Sequence, residues 1–158
     1  MRAKTSRNFR RRARRSTAEM RGFRWKIFFR SPVEKVYDAL TSDEGRASFW
    51  AESTRESGGA IEFTFPNGES YTANILEQSA PGVFSIRYFG ARTTFSLSAE
   101  SGGTILVLEV DDGTEDDWLE SYAGWISVLM NMKSVVDFGA DLRNHDPKKS
   151  WDQGFVDN

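Results

Sequence analysis

The stretch that decides the fold is Glu115-Asp116-Asp117-Trp118-Leu119-Glu120-Ser121-Tyr122-Ala123-Gly124-Trp125-Ile126-Ser127-Val128-Leu129-Met130-Asn131-Met132-Lys133-Ser134-Val135-Val136-Asp137-Phe138-Gly139-Ala140. Within it Trp118, Tyr122, Trp125, Leu129, Met132 and Val136 recur at alternating spacings of four and three, the repeat of one helical face. Leu119, Ile126, Met130 and Val135 flank that stripe. The pattern predicts the longest helix of the chain, from about 115 to 140. Thr114 stands at its N-cap with Asp117 three residues on, and Gly139 lies near its end. A helix with so many rings on one side needs an apolar surface to cover.

The preceding sequence supplies that surface. Phe23, Trp25, Ile27 and Phe29 alternate with Arg24, Lys26 and Arg30, the period of a strand buried on one face. Ser31-Pro32-Val33-Glu34 reads as a helix start, with Ser31 as N-cap, Pro32 in the first helical position and Glu34 closing a capping box. Val33, Val36, Tyr37 and Leu40 share a face of that helix, and Thr41-Ser42-Asp43-Glu44 opens a second short one ending at Phe49-Trp50. From 52 to 110 strands are punctuated by turn signals. Gly58-Gly59 precede Ile61, Phe63 and Phe65; Asn67-Gly68 precede Tyr71, Ala73 and Ile75; Pro81-Gly82 precede Phe84, Ile86 and Tyr88. Gly90 precedes Phe95 and Leu97, and Gly102-Gly103 precede Leu106, Leu108 and Val110. The alternate positions, among them Glu62, Thr64, Ser85, Arg87, Thr94, Ser96, Ser98 and Glu109, are polar. One apolar and one polar face argue an antiparallel sheet covered on one side. The expectation is an α+β fold: a curved antiparallel sheet of about seven strands wrapped on a long C-terminal helix, with two short helices after the first strand.

At 158 residues the chain fits one domain, which buries roughly 70% of the surface its unfolded form exposes. With no Cys, disulfides and thiolate metal sites are excluded, and with one His, sites needing two such ligands are excluded as well. No apolar run reaches the ~20 residues of a membrane span and no secretory signal is present, so a cytoplasmic location without a membrane span is expected. Charge is distributed unevenly. Residues 1–26 carry eleven Lys or Arg and one acid, leaving ten basic and twenty-two acidic residues in 27–158, a net charge of −12. The arm at 1–22, dense in Arg and Lys over 2–15, is expected to be disordered. It reads either as a nucleic-acid or anionic-surface arm, or as a solvated tail or upstream stretch with Met20 as the true start. The second reading is favoured because Met20 directly precedes the first strand signal. The domain proper is expected over 23–140. The polar segment 141–158, with Trp151 and Phe155, is expected to dock on it.

The order of these pieces resembles that of the helix-grip, START-like (SRPBCC) superfamily, and within it the family related to the activator of the heat-shock-protein-90 ATPase. The residues carrying the resemblance are Ser31 to Thr41, Phe49-Trp50, Gly58-Gly59, Phe65-Pro66-Asn67-Gly68, Pro81 ahead of Phe84 to Tyr88, and Trp118 with Tyr122-Ala123-Gly124-Trp125. The resemblance implies a fold with an internal cavity, among relatives that include hydrophobic-ligand binders, cyclase-like enzymes and chaperone-associated stress-response proteins. Fold alone does not choose among them.

The rings expected to line the cavity as ligand-binding residues are Phe63, Tyr71, Phe84, Tyr88, Phe95, Trp118, Tyr122 and Trp125, with Leu129 beside them and Trp50 at the rim. Tyrosine hydroxyls are the candidate polar anchors, and a filled core of the same rings is the competing reading. No catalytic residue, cofactor or metal is expected. His145 reads as a loop contact; Asp111, Asp112, Glu115, Asp116, Asp117 and Glu120 read as carboxylates favouring a helix N-terminus. Asp137-Phe138-Gly139 matches a kinase tripeptide only by coincidence. The expected partner is a small hydrophobic molecule, with a cyclase-like activity on a hydrophobic substrate or a chaperone-associated protein interaction as alternatives. Oligomeric state is not legible.

Overall fold

The structure, a computed structural model, describes residues 21–113 and 115–158. The basic arm before Arg21, the start at Met20 and the Thr114 cap lie outside the described residues, as do the side chains of Glu115 and Asp116 in the acidic run.

Strand β1 (Arg21–Phe29) leads into helices α1 (Val33–Thr41) and α2 (Asp43–Phe49). Six strands follow: β2 (Ser53–Ser57), β3 (Ala60–Thr64), β4 (Ser70–Ser79), β5 (Val83–Tyr88), β6 (Ala91–Glu100) and β7 (Gly103–Gly113). Helix α3 (Glu115–Phe138) and a single 3-10 turn at Trp151–Gln153 complete the chain. The strands form one antiparallel sheet in the order β1-β7-β6-β5-β4-β3-β2, so the first strand closes against the last. Alternation sets the two faces. Phe29, Ile61, Phe63, Ala73, Phe84, Ile86, Phe95, Leu106, Leu108 and Val110 point inward and are buried. On the outer face Arg24 pairs with Glu109 at 3.3 Å and Arg55 with Glu62 at 2.9 Å, each directly across a strand pair. Gly103 is required where β7 meets β1: a Cβ there would stand 1.8 Å from the Phe29 carbonyl oxygen. Among the described residues no helix is long and apolar enough to cross a membrane.

The helix starts differ in one respect from the sequence expectation. Ser42 caps α2, its Oγ accepting from the Gly45 N–H at 3.0 Å. Ser31, however, does not cap α1. Pro32 occupies that position with no side-chain cap, and Ser31 Oγ turns away to donate to Asp137 Oδ1 at 2.8 Å, in the last turn of α3. Asp137 also accepts from the Arg30 N–H at 3.0 Å and from Lys133 Nζ at 2.9 Å. Its side chain is fully buried. Burial alone would raise its pKa, but these donors outweigh that and hold it below the usual carboxylate value. One carboxylate thus pins the end of α3 to the β1–α1 junction. Gly139, at φ 68°, then closes the helix with its N–H on the Val135 carbonyl.

The segment after α3 lies back along the domain. Arg143, nearly buried, donates to the carbonyl oxygens of Ala51 and Ala47 at 2.8 Å each and pairs with Asp141. His145 sits between Asp141 Oδ2 at 2.7 Å and Glu52 Oε1 at 2.6 Å. The hydrogen bonds of these two carboxylates raise the His145 pKa. Burial pushes the Asp141 pKa up, but bonds from Arg143, His145 and Asn131 dominate and leave it well below normal.

Asp137→Ala leaves Ser31, Lys133 and the Arg30 N–H without their common acceptor, and is expected to cost about 3 kcal/mol of unfolding free energy in urea; a loss under about 0.5 kcal/mol contradicts the tie. His145 holds its proton more tightly folded than unfolded, so its contribution is complete below the unfolded histidine pKa and fades as pH rises through the raised folded value. Unfolding at a series of pH values should therefore give a wild-type stability that falls across that window, and His145→Gln should flatten the fall. An identical pH profile in the variant contradicts the clasp.

Candidate ligand-binding site

Helix α3 does not fill the concave face of the sheet. Trp50, at the C-terminus of α2, is wedged between sheet and helix, with ring centroids 4.8 Å from Phe63, 5.3 Å from Tyr88, 5.8 Å from Phe95 and 5.2 Å from Trp125. On one side of this cluster the rings interdigitate. On the other a cavity of about 680 Å³ opens beneath the N-terminal half of α3, within the range of small-molecule sites.

Five of the ten residues expected at the cavity line it: Trp50, Tyr71, Tyr88, Trp118 and Trp125. Trp50 differs from its expected place at the rim, since it is only 6% exposed and forms an inner wall. Phe63, Phe84, Phe95 and Leu129 are instead packed in the core and do not line the cavity: Phe63 and Phe95 lie against Trp50, Phe95 also meets Trp125, and Phe84 is stacked on Phe95. Tyr122 is likewise absent from the lining; it is stacked on Trp118 at 5.0 Å and packs against Phe23 and Trp25 of β1.

Other lining groups were not among the ten expected at the cavity. Phe23 comes from β1, Phe65 from the β3–β4 connection, Val128 from α3 and Trp151 from the 3-10 turn. Trp151 Nε1 donates to Glu120 Oε1 at 2.9 Å, and its ring approaches the cavity beside Gly124. Phe89 is the clearest omission. It and Gly90 form the two-residue β5–β6 turn with φ of 46° and 80°, where Asn or Gly normally supplies the first left-handed residue. Phe89 is 58% exposed and stacks on Tyr71 at 4.1 Å. A bulky ring in that backbone region is strained, and it stands at the mouth of the cavity. The sequence signal was Phe where the turn favours Asn.

Polar groups in the wall are few. Tyr88 hydroxyl accepts from Trp50 Nε1 at 3.3 Å, and burial, opposed by that bond, pushes its pKa well above the normal tyrosine value. Thr93 lines the cavity at 1% exposure, and its hydroxyl finds no hydrogen-bond partner among the described protein groups. Glu69, Asp117, Glu120 and Asp152 lie among the lining residues, all exposed. His145 lies in the clasp described above and is not among the lining residues. Among the described residues no group of three or more His, Cys, Asp or Glu side chains is placed to hold a metal ion.

The family model described as activator of Hsp90 ATPase homolog 1-like protein matches residues 30–137. No curated protein matches the chain. Among solved structures, the Aha1 dimer from Colwellia psychrerythraea is similar with a TM-score of 0.69 at 20% identity, over 76% of this chain and 98% of that one. A protein from Staphylococcus saprophyticus gives 0.68 at 19% identity, over 76% and 94%. An AHSA1-like protein from Aeromonas hydrophila gives 0.66 at 18% identity, over 75% and 94%. At these identities the likeness is one of fold, the helix-grip arrangement of sheet, paired short helices and long closing helix.

The strained turn yields a prediction that separates stability from binding. Phe89→Asn and Phe89→Ala both lose the ring's contacts with Tyr71 and Tyr88 and should both weaken capture of aromatic compounds, but Asn tolerates the left-handed conformation and should be about 1 kcal/mol the more stable of the two in urea. Equal stability of the two variants contradicts the assignment of strain.

Proposed function

The chain belongs to the activator of Hsp90 ATPase homolog 1-like family, and from that premise we propose that it binds an apolar or aromatic small molecule in the cavity between α3 and the sheet. The observation that carries this reading is the cavity itself. Among the described residues, nine of the twenty-four that line it are aromatic, drawn from the sheet, both flanking helices and the C-terminal turn. Burying a ring among them removes apolar surface from water at about 25 cal/mol per Å². Tyr71 and Tyr88 hydroxyls and the Thr93 hydroxyl are the orienting groups.

Binding without catalysis is favoured because the lining carboxylates are exposed and no His is among the lining residues. A cyclase-like reaction would need a buried acid beside Tyr71 or Tyr88. A second reading, association with a chaperone, is favoured by the family's description and by the net charge of −12 over 27–158. It places the working surface outside the cavity.

Gly124 offers the discriminating variant. It lies in α3 at the cavity, and a Cβ there meets only Trp151 Cζ2, at 3.8 Å. Gly124→Leu projects a side chain into the open space and improves helix propensity by about 0.8 kcal/mol. Titration of naphthalenemethanol followed by tryptophan fluorescence should saturate with the parent and weaken at least about tenfold with the variant, which stays folded. Equal binding by both, or none by the parent, contradicts a ligand site here. If Hsp90-type chaperone capture occurs and is unaffected by Gly124→Leu, the second reading gains.

A further inference from the structure

The proposed site has a charge character that its apolar content conceals. Its rings stand beside carboxylates: Glu69 follows the Phe65 turn and adjoins Tyr71, Glu120 follows Trp118 in the first turns of α3, and Asp152 follows Trp151. These three acids come from three separate segments and face one space. Among the described residues that line the cavity there is no Lys, Arg or His.

We propose that the cavity selects a positively charged aromatic ligand, an aryl-alkyl ammonium compound, over neutral and anionic compounds of the same shape. This rests on the reading of the cavity as a ligand site. Aromatic faces carry negative electrostatic potential and attract a cation held over them, most strongly where water is excluded. The same fold uses that contact elsewhere: Lys133 Nζ lies 5.8 Å from the ring centroids of both Phe28 and Phe29. The Glu120 and Asp152 carboxylates at the mouth carry full charges that their neutral hydrogen-bond donors do not cancel. The Trp151 indole on Glu120 and the Ser150 hydroxyl on Asp152 are both uncharged donors.

Thr93 adds an observation independent of the acids. Its hydroxyl is buried in the cavity wall with no partner among the described residues, and a hydroxyl oxygen has lone pairs that accept from an ammonium N–H. A buried group of this kind is costly unless something satisfies it. Anionic ligands meet the opposite situation. Arg87, on the outer face of β5, is engaged by the Gly90 carbonyl at 3.1 Å and by Asp112 at 3.7 Å.

The test uses three probes of one shape: naphthylmethylammonium, naphthalenemethanol and naphthoate, titrated calorimetrically at low salt into the full chain. The cation should bind about tenfold more tightly than the alcohol, with the carboxylate weakest and the cation's advantage shrinking as salt is added. Glu69→Gln combined with Glu120→Gln should lower the cation's affinity about tenfold more than the alcohol's. The Thr93→Val variant should lower the cation's affinity more than the alcohol's as well. Alcohol binding equal to or tighter than cation binding, or naphthoate binding tightest, overturns the charge preference while leaving the ligand site standing. An unchanged cation-to-alcohol ratio in the double glutamine variant overturns it too. Failure of all three probes to bind overturns the ligand site and with it this inference.

Discussion

The placement of Trp50 is the constraint on which the rest of this molecule depends. The end of α2 delivers one indole into the gap between the sheet and α3, where it meets Phe63, Tyr88, Phe95 and Trp125 at once and bonds the Tyr88 hydroxyl. Aromatic pairs of this geometry are worth about 0.5–1.5 kcal/mol each beyond the area they bury, so a five-ring cluster is a rigid divider. Toward the C-terminal half of α3, Leu129, Met132 and Val136 are buried in ordinary core. Toward its N-terminal half, the same helix presents Trp118, Ser121 and Gly124 to open space.

Polar ties explain why α3 does not simply settle onto the sheet along its whole length. Its last turn is fixed by Asp137, which gathers donors from Arg30, Ser31 and Lys133. Beyond the helix, Arg143 and His145 attach the final segment to the α2–β2 connection, and Trp151 bonds back to Glu120 near the start of α3. Near its N-terminus the helix rests on β1 through rings, Trp118 and Tyr122 against Phe23 and Trp25. Held at its end and propped near its beginning, the helix spans the cavity.

Much of this architecture was legible because it depends on short-range periodicity. The alternation in β1 and β5 through β7, the glycine-marked turns and the four-three repeat of α3 each correspond to an observed element. The site was half legible. Alternation identifies which face a ring is on, and it correctly placed Phe84 and Phe95 facing inward, but it cannot reveal that Trp50 packs against Phe95 and that both rings stay in the core rather than lining the void. Residues outside the strands and longer helices, such as Phe89 and Trp151, had no period to betray them. Ser31 shows the same limit in reverse: its local sequence fits a helix cap, yet a partner 106 positions away takes its hydroxyl. Asp137, set aside as part of a coincidental tripeptide, turned out to hold the end of α3 for the same reason, since its donors come mostly from the far end of the chain.

The chain's five tryptophans provide a direct readout of the central claim, that open space and not packed core lies beneath the N-terminal half of α3. Trp50, Trp118, Trp125 and Trp151 border that space, whereas Trp25 lies outside it. Indole resonances followed by nitrogen-15 NMR during titration with naphthalenemethanol should show those four shifting together and saturating, with Trp25 moving least. Five unmoved indoles at high probe concentration, or Trp25 moving most, would contradict the account.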